Sequence, residues 1–531
     1  MRLLRAAVIF FSASLLLVVL PAQQPAPSPP SNAPQPPSAG LALAAQGKMV
    51  EALPLLEAEC AKSPDDPKLG LARAQCLLNL ARWKEALAAG QGLLQKFPDD
   101  ADIRLMVGEA LFVSFRASEA VETWRPLLKV PKEGERALPR MLGALLAQRR
   151  FDEAGKLAAE AKAAGVVFSG TALSLASQAG GCPEKLAFLE ELGKRYPEEK
   201  ALEEEIKVQK GVCLEGGTAT SATGTLPAKI GKAKLNGKKS GDIRFDSGSQ
   251  STILYAPKSG KALGLTELGQ ASFAGLGEKG PRMASKALLA SFEVGNLKIS
   301  NLPVISGRAD ETFIKMGFGP FLDYVVELDS RKSRRVLWPA GTPIGTIFGK
   351  KPDISLPVLW FRGIPLVPVS INGMGPYPFL FDTGASNTIL AGQFCPLLGL
   401  RPTSGNYSMT RGSGASGWFP IGYTENVILS IGGREEIPPW IQMTEIPQYF
   451  SGPVYGFLGR DFIGDYRIVF DGPGCRIHLL RYPSGRYRDP TLNRRPPNLK
   501  PDHVDNTPAR YEPPPYAIQD PRNVPGKGGP P

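Results

Sequence analysis

Histidine is nearly absent from this sequence, with only His478 and His503 among 531 residues. A Ser-His-Asp or Cys-His hydrolase needs an imidazole base, and a zinc protease commonly uses two histidines as metal ligands. His503 lies in a proline-rich stretch and His478 follows an apparent final strand, so neither is well placed for these roles. Any hydrolytic chemistry in this chain must therefore be carried by carboxylates.

Cysteine is also scarce. Six cysteines in a chain of this length do not make a disulfide scaffold, and none forms a Cys-x-x-Cys metal motif. The sequence shows no phosphate-binding loop, no cluster of metal ligands and no nucleic-acid-binding module. We therefore expect no metal, no cofactor and no nucleic-acid partner, while the pairing of the cysteines stays open.

Only one apolar run approaches the length of a membrane span. Residues 6–20 follow Arg2 and Arg5 and precede a Pro-Ala-Gln segment. A positive start and a short apolar stretch are typical of a signal peptide, because a membrane helix needs about 20 apolar residues. The sequence predicts a signal peptide over residues 1–22 and an exported protein, periplasmic or secreted. The alternative is an uncleaved N-terminal membrane anchor.

Many of the 51 prolines are concentrated near the two ends of the chain. Residues 23–39 are interpreted as an extended Pro/Ser linker, and residues 485–531 as a disordered, basic, Pro-rich tail. The net charge of +12 lies partly in the tail and in the signal segment. It indicates a solvated basic exterior rather than a site for an anionic partner.

A repeat of 34 residues occupies the N-terminal half. Its clearest mark is the series Glu51-Ala52, Glu85-Ala86, Glu119-Ala120 and Glu153-Ala154. Pro64 and Pro98 are also 34 positions apart, and each is followed by two aspartates. Small residues inside helices, with proline at the boundary, resemble the tetratricopeptide repeat.

The resemblance implies an all-α solenoid over residues 40–212, because one helix pair cannot bury its apolar face alone and stacked pairs can. Such arrays present a surface to peptides or protein partners, so a protein partner is expected there. A role as a mere spacer is the alternative.

Two similar segments follow in a part of the chain rich in Val, Ile and Phe runs and in Gly, Pro and Asn turns. The first, at residues 235–254, reads LNGKKSGDIRFDSGSQSTIL, and the second, at residues 371–390, reads INGMGPYPFLFDTGASNTIL. Alternating strand-like runs and turns predict β structure. The internal similarity predicts two homologous all-β lobes, over residues 222–345 and 352–484.

The second lobe contains three motifs in order. They are Phe381-Asp382-Thr383-Gly384-Ala385-Ser386, then the glycine-rich stretch from Arg411 to Trp418, then Gly456-Phe457-Leu458-Gly459-Arg460-Asp461-Phe462-Ile463. Together they resemble the catalytic turn, the flap and the second conserved element of retropepsin-like aspartic proteases. The resemblance implies a multidomain fold in which a tetratricopeptide solenoid precedes two acid-protease-like lobes.

The resemblance also implies roles for individual residues. Asp382 is the catalytic carboxylate, and Thr383 and Gly384 support its turn. The flap residues expected to cover substrate are Gly412, Gly414, Gly417 and Trp418. Two carboxylates held close together cannot both ionise easily, so they share a proton and one of them activates a water molecule.

The partner of Asp382 is expected in the first lobe. Asp246 lies in the turn Asp246-Ser247-Gly248, where Ser247 keeps a hydroxyl and Gly248 keeps the open backbone. The first lobe departs from the pattern further on, where Gly317-Phe318-Gly319-Pro320-Phe321 reads as a shortened second element. The alternative is a homodimer in which two copies of Asp382 form the pair.

The predicted function is that of an exported aspartic endopeptidase acting on peptide or protein substrates, with the repeats serving protein interaction. The alternative is a catalytically inactive protease fold that serves as a peptide-binding or protein-binding scaffold. Asp461 is expected to be structural rather than catalytic.

Overall fold

The computed structural model describes residues between 38 and 483, with internal gaps. The described ranges are 38–166, 182–198, 202–203, 206, 225–226, 233–239, 243–249, 251–256, 263–273, 282–294, 297–308, 313–332, 334–361, 363–392, 394–400, 408–411, 418–438, 440–444, 446 and 454–483. The predicted signal peptide, nearly all of the linker and the tail lie outside these residues.

Helices dominate the N-terminal part and strands dominate the rest, so the predicted fold class is confirmed. The helices are α1 (Ala39–Ala45), α2 (Met49–Lys62), α3 (Pro67–Asn79), α4 (Trp83–Lys96), α5 (Ala101–Val113), α6 (Ala117–Trp124), α7 (Pro131–Ala147), α8 (Phe151–Ala163), α9 (Cys182–Arg195), α10 (Ile344–Phe348) and α11 (Arg460–Ile463). None of the described helices combines the length and apolar character that a membrane crossing requires.

The strands fall into two groups along the chain. The first group is β1 (Thr225–Leu226), β2 (Lys234–Leu235), β3 (Lys238–Lys239), β4 (Ile243–Phe245), β5 (Ile253–Ala256), β6 (Thr266–Phe273), β7 (Arg282–Val294), β8 (Leu297–Arg308), β9 (Phe313–Met316), β10 (Val325–Asp329) and β11 (Arg334–Trp338). The second group is β12 (Ile354–Pro357), β13 (Leu359–Phe361), β14 (Ile364–Ile371), β15 (Met374–Phe381), β16 (Ile389–Ala391), β17 (Ser408–Arg411), β18 (Trp418–Thr424), β19 (Leu429–Ile431), β20 (Arg434–Glu436), β21 (Ile441–Thr444), β22 (Gly456–Leu458), β23 (Tyr466–Asp471) and β24 (Arg476–Arg481).

The Glu-Ala repeat has a structural explanation in the helical array. Its alanines are fully buried, since neighbouring helices approach closely only across small side chains: Ala52, Ala86, Ala120 and Ala154. Three of its glutamates pair with an arginine three residues earlier: Arg82–Glu85, Arg116–Glu119 and Arg150–Glu153. At the repeat boundary, Asp66 and Asp100 accept backbone hydrogen bonds from the first turns of α3 and α5, and so cap those helices.

The turns between the paired helices form one edge of the array, and this edge packs against the β lobes. Trp83 meets the rings of Tyr377 and Tyr455 edge-on, with centroids 5.0 and 5.4 Å apart. The Tyr377 hydroxyl donates to the Ala81 carbonyl at 3.1 Å. Buried aromatic contacts of this kind contribute beyond their area. The array therefore forms one continuous core with the lobes.

Each lobe has its own sheet, and the two sheets repeat the same plan. The first runs β3-β2-β7-β8-β5-β9-β4, and the second runs β17-β18-β21-β16-β22-β15-β14-β19-β20. β4 lies parallel to β9, just as β15 lies parallel to β22. A third sheet, β1-β11-β10-β23-β24-β12, joins the lobes through the antiparallel pairing of β10 with β23. The predicted similarity of the two segments thus corresponds to two related lobes joined at one sheet.

The joining sheet contains a buried charge. Glu327 on β10 is fully buried, and it pairs with Arg467 on β23 at 2.6 Å and with Arg334 on β11 at 3.3 Å. The Trp338 indole N–H donates to the same carboxylate at 3.1 Å. A buried carboxylate is tolerated only when it is paired in this way. The ion pair between β10 and β23 helps to fix one lobe against the other.

Candidate active site

Asp382 follows directly after β15. This strand carries the consecutive buried residues Phe379, Leu380 and Phe381 between its neighbours β14 and β22. The Asp382 amide donates to the Leu458 carbonyl at 3.0 Å, so the chain leaves the sheet at a defined point. The carboxylate Oδ1 then accepts the backbone N–H groups of Gly384 at 2.8 Å and of Ala385 at 3.2 Å. These hydrogen bonds from the turn therefore fix the orientation of the Asp382 carboxyl group.

Asp246 is held in the same way in the first lobe. It follows β4, its amide donates to the Met316 carbonyl at 2.9 Å, and its Oδ1 accepts the Gly248 N–H at 2.9 Å. The matching bonds in the two lobes show that the two turns are structural equivalents. One chain therefore supplies two aspartate turns of the same geometry.

The two carboxyl groups lie close together where the two turns meet. Each one also lies over the glycine of the opposite turn. A Cβ atom on Gly248 would come within 2.5 Å of the Asp382 carboxyl, and one on Gly384 within 2.6 Å of the Asp246 carboxyl. Only glycine allows this approach. The structure thus brings Asp246 and Asp382 together within one chain, without a second copy.

The environment makes the Asp382 carboxyl hard to ionise. Burial raises the pKa of Asp382 most strongly, and the charge of Asp246 raises it further. The Gly384 N–H and the Lys315 ammonium act in the opposite direction, and the resulting pKa is about 8. Asp382 therefore holds a proton more readily than an exposed aspartate does.

A reciprocal set of hydrogen bonds clamps the two turns. The Ser247 amide donates to the Thr383 Oγ1 at 3.1 Å, and the Thr383 amide donates to the Ser247 Oγ at 2.9 Å. The Ser247 hydroxyl donates onward to the Phe381 carbonyl at 2.6 Å. The predicted support residues Ser247 and Thr383 thus lie where they hold the aspartates face to face.

We expect Ser247→Ala to lower the free energy of unfolding by about 1–3 kcal/mol, because it leaves the Thr383 N–H and the Phe381 carbonyl without their partner. Urea unfolding of the purified protein measures this change. Ser247→Thr retains a hydroxyl at this position, as Thr383 does in the other turn. We therefore expect this variant to lose much less stability. Equal stability of wild type and Ser247→Ala would show that the clamp contributes nothing.

The Leu-Gly-Arg-Asp element lies directly beneath the Asp382 turn. The Arg460 amide donates to the Ala385 carbonyl at 3.0 Å. The Asp461 Oδ1 accepts both the Thr388 N–H at 2.8 Å and the Thr388 hydroxyl at 2.7 Å. Asp461 is thus occupied by the backbone of the turn. This is the geometry expected for a structural residue.

The sequence comparison of this element with the first lobe was wrong in register. It matched Gly317-Phe318 to Gly456-Phe457, whereas the structure pairs Met316 with Phe245 as it pairs Leu458 with Phe381. The first-lobe element therefore begins three residues before Gly317. Up to this glycine it is as long as the second-lobe element.

The corrected register makes Gly317 the equivalent of Gly459. A Cβ atom on either glycine would collide with the backbone of the aspartate turn above it. Beyond Gly317 the first lobe has a 3₁₀ turn, Gly319–Phe321, where the second lobe has α11. The first lobe differs there because it has no Arg-Asp pair.

The register also reveals a site residue that the sequence analysis missed. Lys315 on β9 places its Nζ 2.5 Å from the Asp246 Oδ2. The sequence feature that could have identified it is a lysine within an otherwise apolar segment, Phe313-Ile314-Lys315-Met316. The site therefore contains a cation as well as two carboxyl groups.

Paired strands flank the predicted flap. β17 pairs with β18, with Arg411 opposite Trp418, and β6 pairs with β7 in the first lobe. Gly412, Gly414 and Gly417 lie outside the described residues, and the side chain of Trp418 is also not described. Their predicted contact with substrate stays a prediction.

We expect Asp382→Asn to stabilise the folded protein increasingly as the pH rises from about 4 to about 8. An unfolded Asp ionises near pH 3.9, whereas burial and Asp246 raise the folded pKa of Asp382 to about 8. Because the folded protein retains this proton, the contribution of Asp382 to stability falls across that interval. Asparagine does not titrate and lacks this loss. Thermal unfolding of both proteins from pH 4 to 8 checks the prediction, with the exposed Asp152→Asn as control. Stability curves that stay parallel would contradict it.

The described residues include no group of three or more His, Cys, Asp and Glu side chains that could hold a metal ion. The described thiols Cys60, Cys76, Cys395 and Cys475 are free. Two aspartates in matching turns, clamped together between two β lobes, define a domain of the aspartic protease class.

Comparisons with known proteins agree with this class. Residues 367–462 match the family described as aspartyl protease, and residues 43–109 match the tetratricopeptide repeat family. An aspartyl protease domain in the C-terminal half and tetratricopeptide repeats in the N-terminal part are thereby confirmed. The retropepsin-like subtype stays a prediction. A search of curated proteins returned no match.

Several solved structures match about a third of the chain. MamA from Desulfovibrio magneticus RS-1 is 14% identical over 32% of this chain and 88% of that one, with a TM-score of 0.23. YrrB, described as a TPR protein with an unusual peptide-binding site, is 13% identical over 32% and 88%, with a TM-score of 0.24. A tetratricopeptide repeat protein from Parabacteroides merdae ATCC 43184 is 16% identical over 32% and 69%, with a TM-score of 0.25.

Proposed function

We propose that this protein is an exported, retropepsin-like aspartic endopeptidase that hydrolyses peptide bonds with a water molecule activated by Asp246 and Asp382. The proposal is carried by one observation, the placement of each of these carboxyl groups against the glycine of the opposite turn. A pair that shares one proton has both a base and an acid available at the same moment.

The chemistry follows from the shared proton. One carboxylate removes a proton from the water as its oxygen attacks the carbonyl carbon, while the other carboxyl protonates the carbonyl oxygen. As the C–N bond breaks, the first group gives its proton to the leaving amine, and the second regains a proton from a hydroxyl group of the intermediate. The antiparallel strand pairs β6–β7 and β17–β18 are suited to cover an extended peptide and exclude bulk water.

The repeats are proposed to recruit or orient protein substrates. Their packed turns hold the array against the lobes through Trp83 and Tyr377, so a substrate bound by the array would stay in a fixed relation to the dyad. Tetratricopeptide arrays commonly present an extended surface to peptides. Export is proposed from the positive and apolar start of the chain.

The purified protein is expected to cleave an unfolded, fluorescein-labelled protein substrate between acid and neutral pH, and pepstatin is expected to block the cleavage. Fragment masses would show hydrolysis within the chain rather than trimming from its ends. Binding of the unfolded substrate without turnover at any pH from 3 to 9 would instead identify a scaffold. Fractionation of expressing cells, with N-terminal sequencing of the product, tests export separately.

A further inference from the structure

The two lobes differ chemically at one matched position beside the dyad. Lys315 pairs with Ile253 on β5 in the way that Phe457 pairs with Ile389 on β16, so Lys315 is the first-lobe equivalent of Phe457. Phe457 is buried. The pseudo-symmetric site therefore has an apolar ring on one side and an ammonium group on the other.

The strand geometry directs this ammonium group to the dyad. Ile314 and Met316 are fully buried in the first lobe, and Lys315 between them points to the opposite face because side chains alternate along a strand. Its Nζ lies 2.5 Å from the Asp246 Oδ2, while the Gly248 N–H occupies Oδ1. Both oxygens of Asp246 thus receive a donor, and one donor is a full positive charge.

The lysine is charged in this environment. Burial alone would lower the pKa of Lys315, but the Asp246 carboxylate opposes burial, and the pKa is raised above its usual value. The other titratable groups that act on Lys315 are Tyr255 on β5 and Asp382 after β15. Among these groups, Asp246 is the one in direct ionic contact.

We propose that Lys315 is a positioning residue that assigns the shared proton, holding Asp246 as the carboxylate that activates water and leaving the proton on Asp382. This inference rests on the proposed peptidase function. Asp246 takes a proton from the water as the new C–O bond forms, and Asp382 gives its proton to the carbonyl oxygen. When the C–N bond breaks, the proton on Asp246 passes to the amine nitrogen, and a hydroxyl proton of the intermediate returns to Asp382.

The ammonium group also sets the pH range of the singly protonated pair. A cation within a few ångströms favours the ionised form of a carboxyl group, so without the cation the pair should keep its protons to higher pH. The acid limb and the alkaline limb of the pH profile of kcat/KM should therefore both move to higher pH when the charge is lost.

The test compares wild type with Lys315→Met, which keeps the length of the side chain but not its charge, and with Lys315→Arg, which keeps the charge. We expect Lys315→Met to shift both limbs upward by about one pH unit or more, which is the scale of a nearby opposite charge. Lys315→Arg should keep the limb positions. Lys234→Met, which replaces an exposed side chain on β2 of the same lobe, controls for the loss of a positive charge elsewhere. A Lys315→Met profile that superimposes on wild type overturns the inference.

A second measurement does not depend on turnover. Carbon-13 labelling of the aspartates, with Asp246→Asn and Asp382→Asn for assignment, follows each carboxyl by NMR. At neutral pH we expect the Asp246 signal to have the chemical shift of a carboxylate and the Asp382 signal that of a protonated carboxyl group. The opposite assignment overturns the inference even if Lys315→Met fails to fold. Wild type without activity but with this assignment would reject the proposed function and leave the role of Lys315 intact.

Discussion

Replacing either Asp246 or Asp382 by asparagine is expected to reduce kcat/KM for an unfolded peptide by about 10³-fold or more. Asparagine has nearly the same shape but can neither accept the proton of the attacking water nor donate one to the carbonyl oxygen. Acid–base groups commonly raise a rate by about 10²-fold to 10⁴-fold. When two residues act as a unit, removing either one removes their joint contribution. Initial rates of peptide cleavage across the pH range measure the loss.

The double variant should be little worse than either single variant, because removing one carboxyl already removes the shared proton. Asp152→Asn on the array surface serves as the matched control and should keep wild-type activity. Circular dichroism verifies that each variant is folded. Substantial cleavage by the folded double variant would rule out the two-aspartate mechanism.

The second large effect is expected at the glycines of the two turns. Gly248→Ala would place a Cβ within 2.5 Å of the Asp382 carboxyl, and Gly384→Ala would place one within 2.6 Å of the Asp246 carboxyl. Contacts this short force the opposing carboxyl groups apart. Since a misplacement of about 1 Å can cost 10²-fold in rate, we expect each variant to lose about 10²-fold or more in kcat.

The matched control is Gly345→Ala, at an exposed position of α10. A Cβ there meets nothing within 4 Å, and the backbone is not left-handed. This variant should keep both activity and stability. If Gly248→Ala and Gly384→Ala were as active as Gly345→Ala, the carboxyl groups could not be packed against the opposite turns.

Much of the fold could be predicted because repeats and short sequence motifs determine it. The 34-residue spacing reflects the burial of Ala86 and its equivalents, and the capping aspartates mark the starts of α3 and α5. The likeness between residues 235–254 and 371–390 predicts two related lobes. The same likeness places Asp246 and Asp382 at matching turns. The two aspartates then form a single site if the lobes face each other.

The contacts that depend on strand register could not be predicted in this way. Matching letters placed Gly317 opposite Gly456, and only the pairing of β4 with β9 shows that Gly317 corresponds to Gly459. A shift of three residues hides the position of Lys315 next to Asp246. The side-chain period of a strand makes such a shift decisive for which residues reach the site.

The packing of the array on the lobes was not predictable for a related reason. Trp83 and Tyr377 are nearly 300 positions apart, and neither belongs to a motif that marks an interface. Their contact follows from the turn at Ala81, which adopts a positive φ of 59° between α3 and α4 and exposes its carbonyl to the Tyr377 hydroxyl. Long-range packing of this kind emerges only in the folded chain.

The kcat/KM of Asp246→Asn, measured on protein whose mass in solution is determined by light scattering, tests most directly whether one chain supplies both carboxyl groups. We predict that the kcat/KM of this variant is reduced as much as that of Asp382→Asn, whether the protein is a monomer or a larger assembly. Wild-type activity of a dimeric Asp246→Asn variant would contradict the account, because Asp382 would then pair with its copy in the other subunit.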